Sequence, residues 1–325
     1  MTCSRGPERR GGGLSRRQWL ISTGIVTVGA AMPRSATEAR AQRPAAPPQL
    51  RFCLNTATIR GQNLPVDREI EIAAQAGYDG IEPWTGRMAR FVEGGGRLKE
   101  LRKRIADLGL TVESAIGFPT WIVNDPQQRA KGIEAMKRDM DLVRQIGGRR
   151  IAAPPAGAHR GGRVALADAA ERYRQILELG DQMGVTPQLE IWGSSPVLSR
   201  LGQALFVMAE SGHPKACLLP DVFHMYKSGA GLTGLRLIGG TAMHVFHMND
   251  YPAAPPREAI RDSGRIYPGD GIAPLTDIVR TVVANGFQGT FSLELFNRDL
   301  WKQDPLEAAR MGLRKMRQVV QKALG

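Results

Sequence analysis

Four side chains that can bind a metal ion stand at the ends of four apolar stretches. They are Glu190, Asp221, His247 and Glu294, separated in turn by 31, 26 and 47 residues. The first two separations each match one strand and one helix, so we expect the side chains on neighbouring parallel strands. Singly, each could be a structural residue in an ion pair or hydrogen bond. Their common placement instead predicts one divalent-metal site, with Mn²⁺, Mg²⁺ or Co²⁺ favoured and Zn²⁺ possible.

Such a site suits proton transfer on a polyol that carries a carbonyl group. The carbonyl and a neighbouring hydroxyl can chelate the cation, which makes the adjacent C–H more acidic by stabilising an enediolate. Glu190 and Glu294 could each bind the metal through one oxygen and leave the other for the substrate. These two glutamates are therefore the predicted catalytic residues.

The elements that must position these residues alternate eight times from residue 51 onward. Apolar stretches typical of strands occur at 51–56, 79–84, 110–116, 150–154, 187–192, 216–221, 243–249 and 289–295. Helical patterns lie between and after them, at 65–76, 97–108, 127–146, 164–183, 196–210, 229–238, 272–285 and 304–323. Eight such units predict an α/β fold, a closed (β/α)₈ barrel of one domain over residues 51–325.

A doubly wound open sheet is the alternative architecture. Its dinucleotide-binding form would carry a glycine-rich turn after the first strand, and residues 56–61 do not have that pattern. Function in a barrel collects at the carboxyl ends of the strands, where all four candidate ligands fall. This agreement favours the barrel.

The charge of the chain does not indicate a nucleic-acid partner. The formal net charge is +13, but residues 1–41 hold seven arginines and two glutamates and so supply five of those charges. The remaining arginines are scattered on helical segments without interleaved aromatics, which indicates a solvated surface. Cys3, Cys53 and Cys217 are isolated, so no disulfide framework is predicted.

The amino terminus has the features of an export signal. Residues 15–20 resemble the twin-arginine signature, an apolar stretch follows over 20–32, and Ala39-Arg40-Ala41 offers a cleavage site. Residues 1–41 are thus predicted to be a signal peptide read by the twin-arginine machinery, and 42–50 a proline-rich linker. A permanent membrane anchor and a disordered basic tail are the alternatives. The prediction implies a periplasmic protein without a stable membrane anchor.

Several motifs over residues 51–323 resemble the xylose-isomerase-like sugar isomerase/epimerase superfamily, which includes inosose isomerase, hydroxypyruvate isomerase and tagatose 3-epimerase. The motifs are Leu189-Glu190-Ile191-Trp192, Asp221-Val222-Phe223-His224, Val245-Phe246-His247-Met248-Asn249-Asp250, Tyr267-Pro268-Gly269-Asp270-Gly271 and Ser292-Leu293-Glu294-Leu295-Phe296. The resemblance implies that Glu190, Asp221, His247 and Glu294 hold the metal and that His224 faces the substrate. One departure is Ala253, where the tagatose-epimerase branch has a sugar-binding arginine. The segment 293–298 looks closer to inosose isomerases.

Other polar and aromatic residues near the strand ends are candidates for substrate binding. His224 could hydrogen-bond a substrate oxygen or support Asp221. Glu82 could contact substrate hydroxyls or pair with a neighbouring charge, and Asp270 could contact a hydroxyl or cap a helix. Trp192 could stack on a sugar face or line the pocket, as could Trp84 and Trp121. The loop around His159 and Arg160 and the long connection 250–271 are candidate lids.

Four functional hypotheses follow from these residues. The leading one is a metal-dependent isomerase or epimerase that acts on a small keto-sugar or keto-polyol. A second keeps the site but eliminates a substituent from an oxidised glycoside. A non-catalytic sugar-binding protein and a nuclease of similar fold are the others, and the nuclease would need more histidines than the five in this chain. A homo-oligomer is left open.

Overall fold

Each of the eight predicted apolar stretches forms a short parallel strand. The computed structural model describes residues 50–325. Its strands are β1 Arg51–Asn55, β2 Gly80–Glu82, β3 Thr111–Val112, β4 Arg150–Ala153, β5 Thr186–Glu190, β6 Leu218–Leu219, β7 Val245–Met248 and β8 Thr290–Leu293. Most of their residues are buried, as expected for parallel strands that are covered on both faces.

The strands close into a barrel. They pair in parallel in the orders β3-β2-β1-β8-β7 and β4-β5-β6. Backbone contacts join the two groups: the Ala152 amide donates to the Ala115 carbonyl at 2.9 Å, and the His247 amide donates to the Pro220 carbonyl at 2.8 Å. The predicted (β/α)₈ barrel is confirmed.

Helices follow the strands and cover the barrel. They are α1 Val66–Ala76, α2 Thr85–Glu93, α3 Leu98–Asp107, α4 Pro126–Gln145, α5 Leu166–Met183, α6 Leu201–Glu210, α7 Val222–Lys227, α8 Leu275–Ala284 and α9 Pro305–Leu324. Two of them end in a left-handed glycine, Gly77 at φ 90° and Gly184 at φ 71°. A glycine takes this conformation without the strain that a Cβ would cause, and it turns the chain back towards the next strand.

One helix prediction is wrong and one helix was missed. The predicted helix 229–238 is replaced by the short α7, which begins at Val222, and by a 3₁₀ turn at Leu232–Leu237. The Asp221 side chain accepts a hydrogen bond from the His224 amide and so starts α7 early. Helix α2 occupies a stretch for which the sequence predicted no helix.

The barrel interior is sealed by small and branched apolar residues. A cluster of Ile116, Ala152, Leu219 and Val245 lies inside the barrel, and Trp84 packs against it. Cys53 and Cys217 are buried, as expected of small strand residues.

Among residues 50–325, no helix has the length and apolar character needed to cross a bilayer. The predicted signal peptide and all but the last residue of the linker lie outside the described residues.

Candidate metal centre

The four predicted ligands stand at the carboxyl ends of strands β5 to β8. Glu190 is the last residue of β5, Asp221 follows β6, His247 lies in β7, and Glu294 follows β8. Asp221 and His247 are direct partners in a parallel bridge, so strand register alone brings them side by side. All four side chains are buried. The barrel therefore concentrates three acids and an imidazole at one end.

Three of these residues form a compact trio of possible ligands, Asp221, His247 and Glu294. One ligand atom from each lies within 4.8 Å of the others. His247 Nδ1 is 3.3 Å from Glu294 Oε2 and 3.7 Å from Asp221 Oδ2, and it is buried with no hydrogen-bond partner in the described part of the chain. A ring nitrogen aimed at two carboxylates without a partner is the arrangement that a bound divalent cation satisfies. The trio fits a metal ion.

Glu82 supports this trio from behind. His247 Nε2 is 3.0 Å from Glu82 Oε2, so the ring donates its Nε2–H to the carboxylate and turns Nδ1 towards the trio. Asn55 Nδ2 and Ser292 Oγ donate to the same oxygen at 2.9 and 2.8 Å. Glu82 is fully buried. This placement does not support the predicted contact with substrate hydroxyls; it indicates instead that Glu82 orients His247.

Burial and close charges shift the pKa values of His247 and Asp221 in opposite directions. Burial alone would lower the pKa of His247, but the Glu294 and Glu82 carboxylates raise it well above its usual range. Burial alone would raise the pKa of Asp221, yet Arg265 and the two histidines hold it well below its usual range. Without a bound cation, Asp221 is thus held as an ionised acid beside the proton-bearing imidazole of His247.

Glu190 lies on the wall of the same pocket but outside the compact trio. Burial raises its pKa to about 8; His247 opposes this increase, while Glu294 and Asp221 add to it. A carboxyl with this pKa carries a proton at neutral pH. Its metal-ligand role stays a prediction, while its position and proton affinity are those of an acid or base.

Arg265 is the residue that sequence reasoning missed. Its Nη1 donates to Asp221 Oδ2 and to Glu294 Oε2, both at 2.7 Å, and its side chain is almost fully buried. The guanidinium also lies over the rings of Phe223 and Phe296, 4.8 and 5.0 Å from their centroids. The only sequence signal was indirect, because Arg265 lies in the 250–271 connection that was predicted to be a lid.

His224 lines the pocket and contacts Arg265. Arg265 Nη2 is 3.1 Å from His224 Nε2, and a guanidinium can only donate, so Nε2 accepts and the ring proton resides on Nδ1. Nδ1 is buried and has no partner among the described residues. Burial lowers the pKa of His224, which keeps the ring neutral at pH 7. The ring supports the predicted substrate role, while its backbone amide also bonds to Asp221 at 2.8 Å.

Aromatic rings line the pocket above the trio. The pocket has a volume of about 290 Å³. Trp84, Phe118, Trp192 and Phe296 all line it, with Trp84 and Phe118 5.1 Å apart between centroids. The position of Trp192 is therefore compatible with stacking on a sugar face. Trp121 is instead fully buried against Tyr173 in the core, outside this lining.

The remaining predicted residues divide between the pocket and the surface. His159 lines the pocket and meets the Trp192 ring edge-on at 5.0 Å. Asp270 is not among the lining residues and pairs with Lys315 on α9. The turn that contains Asp270 is held by Asp250, whose carboxylate accepts hydrogen bonds from the amides of Gly269, Gly271 and Ala273. The structure thus gives no support to a substrate contact by Asp270.

Comparison with known proteins agrees with this architecture. A family model described as xylose isomerase-like TIM barrel matches residues 70–319. Fructoselysine 3-epimerase of Escherichia coli O157:H7 is 25% identical over 268 residues, which are 79% of this chain and 94% of that protein. A 3-dehydroshikimate dehydratase of Pseudomonas aeruginosa is 26% identical over 252 residues, 76% of this chain and 39% of that protein.

A solved structure has the same fold. The IolI protein with a bound zinc atom superposes with a TM-score of 0.79 at 20% identity, and the match covers 85% of this chain and 99% of that one. At this identity the likeness concerns the fold alone. The family match spans well over half of the sequence and agrees with the resemblance seen in its motifs. The chain belongs to the xylose isomerase-like TIM barrel family.

Proposed function

We propose that this chain is a divalent-metal-dependent isomerase or epimerase of a keto-sugar or keto-polyol. The observation that carries the proposal is that Glu190, His224 and Glu294 line one pocket, and that Glu294 also belongs to the compact Asp221–His247–Glu294 trio. Membership of the family and similarity to a fructoselysine 3-epimerase support a sugar isomerase or epimerase in general. The substrate and the reaction within that class are our inference.

Asp221, His247 and Glu294 would hold the ion, with Glu190 as a possible fourth ligand. A divalent ion bound there would polarise a substrate carbonyl and make the neighbouring C–H more acidic. The carboxylate-rich set favours Mn²⁺, Mg²⁺ or Co²⁺. The zinc in the IolI protein makes Zn²⁺ the fourth ion to test.

We assign the proton transfers to Glu190 and Glu294. Asn55 Nδ2 donates to Glu294 Oε1 at 3.1 Å and Arg265 donates to Oε2, and these two bonds fix the orientation of the carboxylate at the pocket. Glu190 has no share in the ion pairs that Arg265 makes across the pocket. It is free to take up or release a proton on the other side of a substrate carbon.

His224 and the aromatic walls would bind and orient the substrate. The Nδ1–H of His224 can donate to a substrate oxygen, because no described residue accepts it. Trp84, Trp192 and Phe296 offer apolar faces to the C–H face of a sugar ring. These contacts also exclude water from the carbon that exchanges its proton.

Incubation of the protein with a panel of keto-sugars and inososes in heavy water tests the proposal. We expect metal-loaded protein to place deuterium on the carbon beside the carbonyl of at least one member, and chelator-treated protein to place none. Binding of a sugar without exchange of any carbon-bound proton would instead indicate a sugar-binding protein. Cleavage of DNA with abasic sites by the same preparation would point to a nuclease.

Elimination from an oxidised glycoside is a second candidate function. It uses the same proton abstraction beside a ketone, and the similarity to a 3-dehydroshikimate dehydratase favours its inclusion. That relative is matched over only 39% of its length, so the support concerns the barrel chemistry alone. Product analysis separates the two, because elimination releases a leaving group and isomerisation conserves the mass of the substrate.

We also propose export through the twin-arginine pathway, supported by the residues at 15–20 and the cleavage motif at 39–41. An exported enzyme would meet sugars without phosphate groups, since phosphorylated metabolites are mostly cytoplasmic. Replacement of both arginines, Arg16→Lys with Arg17→Lys, should leave the protein in the cytoplasm. Accumulation of this double variant in the periplasm would contradict the proposal.

A further inference from the structure

Arg265 occupies the same carboxylate oxygens that a metal ion would need. Its Nη1 contacts Asp221 Oδ2 and Glu294 Oε2 at 2.7 Å each, and both oxygens face His247 Nδ1. The second nitrogen, Nη2, is held by Asp262 Oδ1 at 2.9 Å and by His224 Nε2 at 3.1 Å. The guanidinium is therefore held against Asp221 and Glu294, two members of the trio.

The hydrogen bonds of Asp221 leave no free lone pair on Oδ2, the oxygen that faces His247. Its Oδ1 accepts from the His224 amide at 2.8 Å. Its Oδ2 accepts from Arg265 at 2.7 Å and from Asn249 Nδ2 at 3.1 Å. A carboxylate oxygen offers two lone-pair directions, so a cation can bind Oδ2 only if one of these donors leaves.

Arg265 is the donor that can leave. Asn249 is tied in place by a second bond, in which its Oδ1 accepts from the Phe223 amide at 2.9 Å. Arg265 reaches the trio on a long side chain from the 250–271 connection, and its bond to the half-exposed Asp262 can persist when Nη1 swings away. A +2 ion between the acids would also repel the guanidinium at this short range.

We propose that Arg265 is an internal counter-cation that a divalent ion must displace from Asp221 before it binds. In the metal-free protein, Arg265 neutralises the Asp221–Glu294 pair. The affinity for the ion is then set by a competition with a side chain of the same chain. The inference rests on the metal site of the proposed function, but it does not depend on which reaction that site performs.

Metal affinity in Arg265 variants tests the competition. We would measure the dissociation constants for Mn²⁺ and Zn²⁺ by competition with a chromophoric chelator in the full chain, Arg265→Met and Arg265→Lys. Removal of two charge-assisted bonds should tighten binding at least about tenfold in Arg265→Met. Arg265→Lys keeps the charge but lacks the planar fork, so its affinity should also exceed that of the unaltered chain. Arg261→Gln removes an exposed charge from the same connection and should change affinity less than about twofold.

The outcomes separate the competition from the metal site itself. Weaker binding in Arg265→Met, or binding in Arg265→Lys equal to that of the unaltered chain, would overturn the competition while leaving the metal site and the proposed function in place. No binding by the unaltered chain or by any variant would remove the site and the competition together. Tighter binding in both Arg265→Met and Arg265→Lys than in the unaltered chain would support the competition.

Hydrogen exchange in the unaltered chain provides a test that requires no variant to fold. If the ion releases the Arg265 side chain, the segment 262–266 loses its link to the trio. We expect the amides of Gly264 and Arg265 to exchange several-fold faster after Mn²⁺ is added, although bound metal ordinarily slows exchange. Unchanged or slower exchange of these two amides would show that Arg265 keeps its place and would overturn the inference.

Discussion

Two buried glutamates differ in what surrounds them, and the difference separates a functional site from a structural one. Glu69 on α1 is fully buried; neither of its oxygens has a hydrogen-bond partner within residues 50–325, and burial raises its pKa to about 7. Burial likewise raises the pKa of Glu190 to about 8. Only Glu190 faces a pocket with further ligand atoms. A raised pKa alone therefore does not indicate a functional site. The presence of several possible ligand atoms at the same pocket does.

The two regions also differ in how charge is balanced. Glu69 has one distant partner, Arg87, whose Nε is 3.7 Å away. Glu190 and Glu294 line the pocket, while Asp221 and Glu82 are fully buried. Arg265 pairs with Asp221 and Glu294, and His247 pairs with Glu82 and Glu294. Such an excess of buried acid is stable only with further protons or a bound cation. A bound cation can therefore neutralise the pocket, whereas Glu69 is a single acid that a proton alone can neutralise.

The largest expected effect is on turnover. Glu190→Gln and Glu294→Gln keep the side-chain shape but remove a base, so each should reduce turnover of a confirmed substrate by about 10²-fold or more. Glu69→Gln makes the same chemical change outside the pocket and should leave turnover unchanged. Metal content must be measured in each variant, because a lost ion would mimic a lost base. Near-native turnover in both metal-loaded pocket variants would refute the two-carboxylate mechanism.

A smaller effect is expected behind the metal ligands. Glu82→Gln weakens the acceptor for His247 Nε2–H, and loss of such outer support typically reduces metal affinity 10- to 100-fold. Glu113 is a matched control, since this buried acid instead bonds to Thr290 at 3.0 Å and pairs with Arg51. Titration with Zn²⁺ compares the variants. Equal affinities in Glu82→Gln and Glu113→Gln would show that Glu82 has no role in the metal centre.

The third prediction concerns stability and pH at Glu69. Its folded-state pKa of about 7 lies above the ordinary 4.5, so protonation stabilises the fold below pH 4.5 and this contribution is lost as the pH rises towards 7. The free energy of unfolding of the unaltered chain should fall relative to Glu69→Gln by roughly 2 kcal/mol between pH 5 and pH 7. Urea titrations at both pH values measure it. A difference independent of pH would mean that Glu69 is already ionised at pH 5.

The smallest effect is expected at the rim of the pocket. Phe118 is 44% exposed and packs on Trp84 and Trp192. Phe118→Ala should raise KM about fivefold with little change in kcat, because ring contacts contribute to binding and not to proton transfer. Phe206 is a similarly exposed ring on α6 outside the pocket, so Phe206→Ala should leave KM unchanged. The same KM in both variants would exclude Phe118 from substrate binding.

Local sequence patterns predicted the strands and placed Glu190, Asp221, His247 and Glu294 at strand ends. This was possible because each of these residues is adjacent in sequence to its own strand. Long-range roles could not be predicted in this way. Glu82 was recognised as a polar residue at a strand end, but its partner His247 lies 165 residues away. Arg265 is one of 44 basic residues, and its partner Asp221 lies 44 residues away. The prediction of a helix at 229–238 was wrong because Asp221 accepts a hydrogen bond from the His224 amide and so caps a helix that begins earlier, at Val222.

Measurement of bound metal is the strongest test of whether Asp221, His247 and Glu294 form a divalent-metal centre. We would dialyse the unaltered chain, His247→Ala and Glu69→Gln against Mn²⁺ or Zn²⁺ and measure bound metal by elemental analysis. We expect about one ion per chain in the unaltered protein and in Glu69→Gln, and loss of the ion in His247→Ala, which removes the nitrogen ligand. Full metal content in His247→Ala, or none in the unaltered chain, would contradict it.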